Sequence, residues 1–190
     1  MSSDMTSLVG SNNNLSTDYY LRKFYEHNRE VSKASKRSDY TNNELIYEDT
    51  IALKKAAKML SSFEYKENND DKNIYNSIRA FVTTYNNAIT SSGKVNDPNL
   101  KRQVKNLMKV TDKYSDALKN IGLEIKDDGT INIKDGILSK ASLSDISKAF
   151  SKETGYMNAS TISAKRINER TYNILYNQIL GRGLHLDITL

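Results

Sequence analysis

The sequence predicts a mainly α-helical protein: an elongated antiparallel helical bundle or coiled coil with one β-hairpin, at about residues 123–134, packed on it. Three observations lead there. Apolar residues recur three and four apart through most of the chain. Only one proline and eight glycines interrupt 190 residues, which suits long helices better than many short strands. The period drops to two between Leu123 and Lys134, around an Asp-Gly pair.

Taken in order, residues 1–16 are rich in Ser, Asn and Thr and carry too few apolar groups to offset the entropy of ordering them; they predict a flexible arm. Thr17 to about Lys36 predicts a helix with Leu21, Phe24, Tyr25 and Val31 on one side. Thr41-Asn42-Asn43-Glu44 matches a capping box, and behind it Ile46, Leu53, Ala56, Ala57, Leu60 and Phe63 predict a helix to about Tyr65. Lys66 to Lys72 predicts a loop.

The strongest periodicity lies between Ile74 and Ile121. One segment carries Ile74, Ile78, Phe81, Val82, Tyr85, Ala88 and Ile89. The other carries Leu100, Val104, Leu107, Thr111, Tyr114, Leu118 and Ile121, spaced as in a coiled-coil seam. Gly93 predicts a helix exit. Asp97-Pro98 supplies an N-cap with proline at the first helical position, where its missing N–H costs nothing. So short a connection predicts an antiparallel pair, the second helix running about 23 residues to Asn120, roughly 35 Å, with Gly122 as its stop.

Beyond Gly122, a three-residue loop of Asp127, Asp128 and Gly129, with Gly129 left-handed, places Ile125 opposite Ile131 and Leu123 opposite Ile133, all on one face. A two-residue Asp128-Gly129 turn would pair Ile125 with Asn132, so the hydrophobic pattern selects the longer loop. Such a ribbon needs helices beneath it. Ile137, Leu138 and Ala141, then Leu143, Ile146 and Phe150, predict short helical contacts, broken at Thr154-Gly155. A last helix, about Asn158 to Leu180, carries Ile162, Ala164, Ile167, Ile174, Leu175 and Ile179, with Gly181 and Gly183 ending it. The alternating residues Leu184, Leu186, Ile188 and Leu190 predict an extended tail. The domain reading is a 1–16 arm, a single helical domain over 17–181 and a 182–190 tail.

Composition removes several function classes. The chain has no cysteine, which excludes disulfides and thiolate chemistry. Its net charge of +5 is mild and falls short of a nucleic-acid footprint. No apolar run approaches the ~20 residues of a membrane span, and the first residues lack the pattern of a signal peptide.

Candidate sites are few. Glu124 to Asp135 superficially resembles a calcium loop, but with Gly129 at its obligatory sixth position the first and third ligands would be Glu124 and Lys126, and the twelfth Asp135 in place of a bidentate Glu. His27 and His185 lack partners at metal or triad spacing. No Gly-rich phosphate loop or local carboxylate pair appears, so no catalytic, cofactor or metal residue is assigned and the chain is read as a non-enzyme. Lys101, Lys105, Lys109 and Lys113, with Arg102, form a row that reads as a solvated helix face before a phosphate grip.

Read together, Phe81 to Phe150 resembles the C-terminal conserved region of the bacterial flagellar filament-capping protein, the hook-associated protein two family. Phe81-Val82-Thr83-Thr84-Tyr85-Asn86 is similar to that family's Phe-Val-x-x-Tyr-Asn helix, and Asp97-Pro98-Asn99-Leu100 to its Asp-Pro-x-Leu helix. Ile121-Gly122-Leu123 and Asp128-Gly129-Thr130-Ile131-Asn132-Ile133 resemble its Ile-Gly-Ile and Asp-Gly-Thr-Leu hairpin. Leu138, Ala141, Asp145 and Phe150 fall near matching positions, so that the capping-protein-like core covers about 74–150. The family's Gly-Ser-Gly start is missing here, and so are its large central domains.

The resemblance implies a structural protein that assembles through helices. Its motif and packing residues would be Phe81, Val82, Tyr85, Asn86, Asp97, Pro98, Leu100, Leu107, Tyr114, Ile121, Gly122, Asp128, Gly129, Thr130, Ile133 and Phe150. Its partners would be other copies or flagellar axial proteins, met outside the cell after export without a cleaved signal. The competing expectation is an intracellular, cytoplasmic adaptor or chaperone with a capping-type core. Neither needs a cofactor.

Overall fold

The computed structural model describes residues 37–66 and 71–183. The helix expected over 17–36, the arm, and the tail after Gly183 lie outside the described residues. Seven α-helices and one hairpin follow: α1 Asn42–Ser62, α2 Asp71–Gly93, α3 Pro98–Asp112, α4 Ser115–Asn120, β1 Leu123–Ile125, β2 Ile131–Ile133, α5 Asp135–Leu138, α6 Leu143–Phe150 and α7 Tyr156–Gly183, with a 3₁₀ turn at Lys152–Thr154. The expected class, mainly α with one hairpin, holds.

The helices start where the capping chemistry lies. At α1, Glu44 N–H donates to the Thr41 hydroxyl, and Thr41 N–H donates to the Glu44 carboxylate at 2.7 Å. At α3, Leu100 N–H donates to Asp97 at 2.7 Å. Three orphan N–H groups of the first turns are satisfied this way. The α1 helix stops at Ser62, slightly short of Tyr65, and α2 begins at Asp71 inside the expected loop.

Packing departs from the expected pair. Helix α1 lies between α2 and α7, and α3 packs chiefly against α7, so that α2 and α3 touch over only a short stretch. The predicted seam residues are buried, including Phe81, Tyr85, Leu100, Leu107 and Ile121, except Tyr114, which is half-buried. They face a common multi-helix core and not each other as a two-stranded coil. Periodicity shows which face is buried but not against what.

The 23-residue helix also divides. It bends at Lys113 and Tyr114, where Tyr114 leaves helical geometry at φ −109°, ψ 12° and its N–H falls back on Thr111 O. The break turns the Tyr114 ring onto Tyr156, with centroids 4.8 Å apart.

Helix α7 differs at both ends and along its face. It begins two residues early and runs through Gly181 to Gly183, since one interior glycine costs a helix only about 1 kcal/mol. Ile162, expected inward, is 42% exposed, whereas Tyr156, Met157, Ser160, Ser163, Ala164, Ile167 and Thr171 are buried. Hydroxyl residues face the core elsewhere too. Ser77, Thr84, Ser91 and Thr171 donate to carbonyls four residues back in their own helices, which lets short polar side chains sit where backbones pack closely.

Candidate assembly core around the hairpin

The hairpin has the expected register, Leu123 opposite Ile133 and Ile125 opposite Ile131. Lys126 N–H donates to Thr130 O and Gly129 N–H to Lys126 O, closing the turn, with Gly129 at φ +80°. Asp128 Oδ1 accepts from both Thr130 N–H, at 2.9 Å, and the Thr130 hydroxyl, at 2.6 Å. Those bonds hold the exposed Asp128 carboxyl below its usual range, the Thr130 hydroxyl contributing most. Two glycines also admit close neighbours. A Cβ on Gly129 would meet the Met108 side chain at 2.7 Å, and one on Gly122, φ +82°, would meet Ile137 Cβ at 2.8 Å. Ile137 thus abuts the hairpin root while remaining 45% exposed, less buried than its place in the pattern suggests.

Hydrogen bonds run between Gly122 and Lys134 and between Lys126 and Thr130. By the alternation of an antiparallel ladder, Ile131 therefore directs its own N–H and C=O away from β1. Asn86 of α2 fills both: its Nδ2 donates to Ile131 O at 2.8 Å, and its Oδ1 accepts from Ile131 N–H at 2.7 Å. One carboxamide thus takes the place of a third strand, and Phe-Val-x-x-Tyr-Asn is joined to Asp-Gly-Thr-Ile by direct bonds.

Beside this clamp Phe81 meets Phe150 edge-on at 5.8 Å and Tyr156 at 5.9 Å, with Tyr85 at 6.2 Å. Val82, Leu118, Ile121, Leu123, Ile131 and Leu138 belong to the same core cluster. Ile133 and Ile125 are half-buried at its edge. Tyr114 donates to Thr154 O at 2.8 Å, and Tyr156 to the Thr111 hydroxyl at 3.2 Å. The Tyr85 hydroxyl is buried without a hydrogen-bond partner. Burial pushes it up to about 12, a rise that the nearby Thr111 hydroxyl offsets only in part. Tyr156 is raised by burial as well.

Asp97 and Pro98 lie away from this cluster. Arg170 of α7 donates to both Asp97 oxygens, at 3.1 and 2.5 Å, so the cap of α3 doubles as its tie to α7. The Arg170 guanidinium, followed by the Leu100 N–H, holds the Asp97 carboxyl below its usual range. Tyr156 and Arg170 are central here but absent from the sequence-derived set. Tyr156 directly follows Gly155, a left-handed residue at φ +75°, and so opens α7 facing inward. Only that glycine and the adjacent Tyr-Met pair signal it.

Other candidates disperse. Glu124 pairs with Lys134 at 2.5 Å and Asp135 with Arg79 at 2.8 Å, so the carboxylates near the turn are engaged separately. Among the described residues no three His, Asp or Glu side chains assemble as a metal site. Lys101, Lys105, Lys109 and Lys113 are all exposed. His27 and His185 lie outside the described residues. No helix among those described is long and apolar enough to cross a membrane. No protein family, curated protein or solved structure matches this chain.

Proposed function

We propose that this chain is a non-catalytic structural protein that works by helix-mediated association with other protein subunits, of the flagellar capping or axial type. The observation that carries the reading is the Asn86 clamp. Two motifs 45 residues apart in sequence, each resembling the capping family, meet through a pair of bonds from the Asn86 side chain to the Ile131 backbone, which gives their joint presence a physical reason. The other motif glycines and aromatics support it. A side chain at Gly122 would collide with Ile137, Gly129 holds a left-handed φ of +80° that disfavours one, and Phe81 and Phe150 share one cluster.

The test is where the protein resides. In a motile producing cell, antibody detection should find it in the sheared-filament fraction or the medium. A protein confined to the cytosol, with filament preparations free of it, would overturn the axial reading in favour of an intracellular helical adaptor.

A further inference from the structure

Along one flank of the α3–α7 contact runs a groove of about 500 Å³ lined by Asn99, Arg102 and Gln103 from α3 and by Arg166, Glu169, Arg170 and Asn173 from α7. Its walls carry no apolar side chain. Three are guanidinium groups, three are carboxamides, and the single carboxylate, Glu169, already faces Lys165 at 3.5 Å. Asp97 holds Arg170 in a two-point pair, and Arg102 leans on Asn99 at 3.3 Å. Arg166 is exposed and has no hydrogen bond or ion pair among the described residues. The groove is therefore a run of N–H donors short of acceptors, with one arginine already immobilised.

Spacing narrows the ligand. Arg166 and Arg170 stand four residues apart on a helix, about 6 Å along its axis. Alternate residues of an extended chain stand about 6.6 Å apart, and a guanidinium fork matches a carboxylate in its own plane; Arg170 offers the Nη1–Nη2 end that its Nε and Nη2 pair with Asp97 leaves open. We infer that this groove binds an extended acidic segment of a partner protein, with carboxylates at alternate positions lying along α7 and the amides of Asn99, Gln103 and Asn173 taking its backbone. The lysines at 101 and 105 stand about 100° and about 60° around α3 from Arg102, and neither lines the groove.

A labelled peptide of alternating Glu and Ala, titrated against the full chain and followed by anisotropy, tests this. Binding should weaken as salt is raised. It should fall about tenfold for the double variant Arg102→Gln/Arg166→Gln, whose circular dichroism and melting should match the parent. The control Lys101→Gln/Lys105→Gln should bind as the parent does, and a peptide with the same number of Glu residues in one block should bind more weakly. Absence of binding at low salt would overturn the assignment. So would equal loss in both double variants, which marks a diffuse charge effect, or tighter capture of single-stranded DNA of equal charge, which marks a phosphate groove.

Discussion

At the hairpin end of the bundle the helices are joined by rings: Phe81, Tyr85, Tyr114, Phe150 and Tyr156, with Asn86 fastening β2 alongside. At the other end they are joined by charge and amide. Arg37 donates to both oxygens of the buried Asp49, which also accepts from the Ser91 hydroxyl on α2 at 2.9 Å. Arg170 ties α7 to Asp97, and Asn168 reaches Tyr47 O and the Thr50 hydroxyl on α1. The burial that drives the rings together is nondirectional, whereas paired charges and amides demand particular partners at particular positions. The contrast suggests that the hairpin end supplies stability and the polar end supplies alignment.

The largest effect should come from the aromatic end. Phe150→Ala should cost about 3–5 kcal/mol, read by chemical denaturation, because its ring contacts both Phe81 and Tyr156. A loss below about 1 kcal/mol would break the comparison by showing that the rings are not the main source of stability. At the polar end, Asp49→Ala should cost about 3 kcal/mol by leaving Arg37 unpaired in a half-buried site. Its cost should change little between low and high salt, since buried pairs are weakly screened. A cost that vanishes in salt would make the pair a surface ornament.

Between these lies the clamp. Asn86→Ala should cost about 2 kcal/mol, the worth of two partly buried hydrogen bonds. Amide exchange of β1 and β2 should accelerate ahead of α1 and α2; uniform acceleration would mean that the hairpin and bundle open as one unit. Smallest is Tyr85→Phe. Its hydroxyl lacks a partner, so at neutral pH the change should be neutral or mildly stabilising, within about 1 kcal/mol. The Tyr85 value is raised in the folded protein to about 12 from an ordinary value near 10. Its contribution is then complete below pH 10 and disappears as pH rises through 12. The variant should lose less stability than the parent between pH 10 and 12, as thermal melts across that window would reveal.

Much of this was legible from residue pattern alone, and the reasons differ by element. The hairpin register was legible because a one-residue slip would turn Ile125 and Ile131 to opposite faces, and the caps at Thr41 and Asp97 because their chemistry is local. The bundle pairing was not, since Leu100 and Leu107 show an inward face without naming the neighbour. The bend at Tyr114 escaped because the ring that it brings Tyr114 against, Tyr156, is far along the chain. On α7, Ala164 and Ile167 marked the inward face, but Ser160, Ser163 and Thr171 escaped because they read as polar although their packing is that of small residues. For the candidate site, the motif located Asn86 but gave no hint that its two amide atoms would grip Ile131, forty-five positions onward.

Exposed strand edges invite neighbouring chains to add on, and proteins commonly guard them with charge, proline or a bulge. Here the Ile131 stretch of β2 is guarded by a side chain that has already occupied its valences. Even at high concentration, that rim of the hairpin is therefore closed to cross-strand addition by another chain, and removing one carboxamide would unlock it.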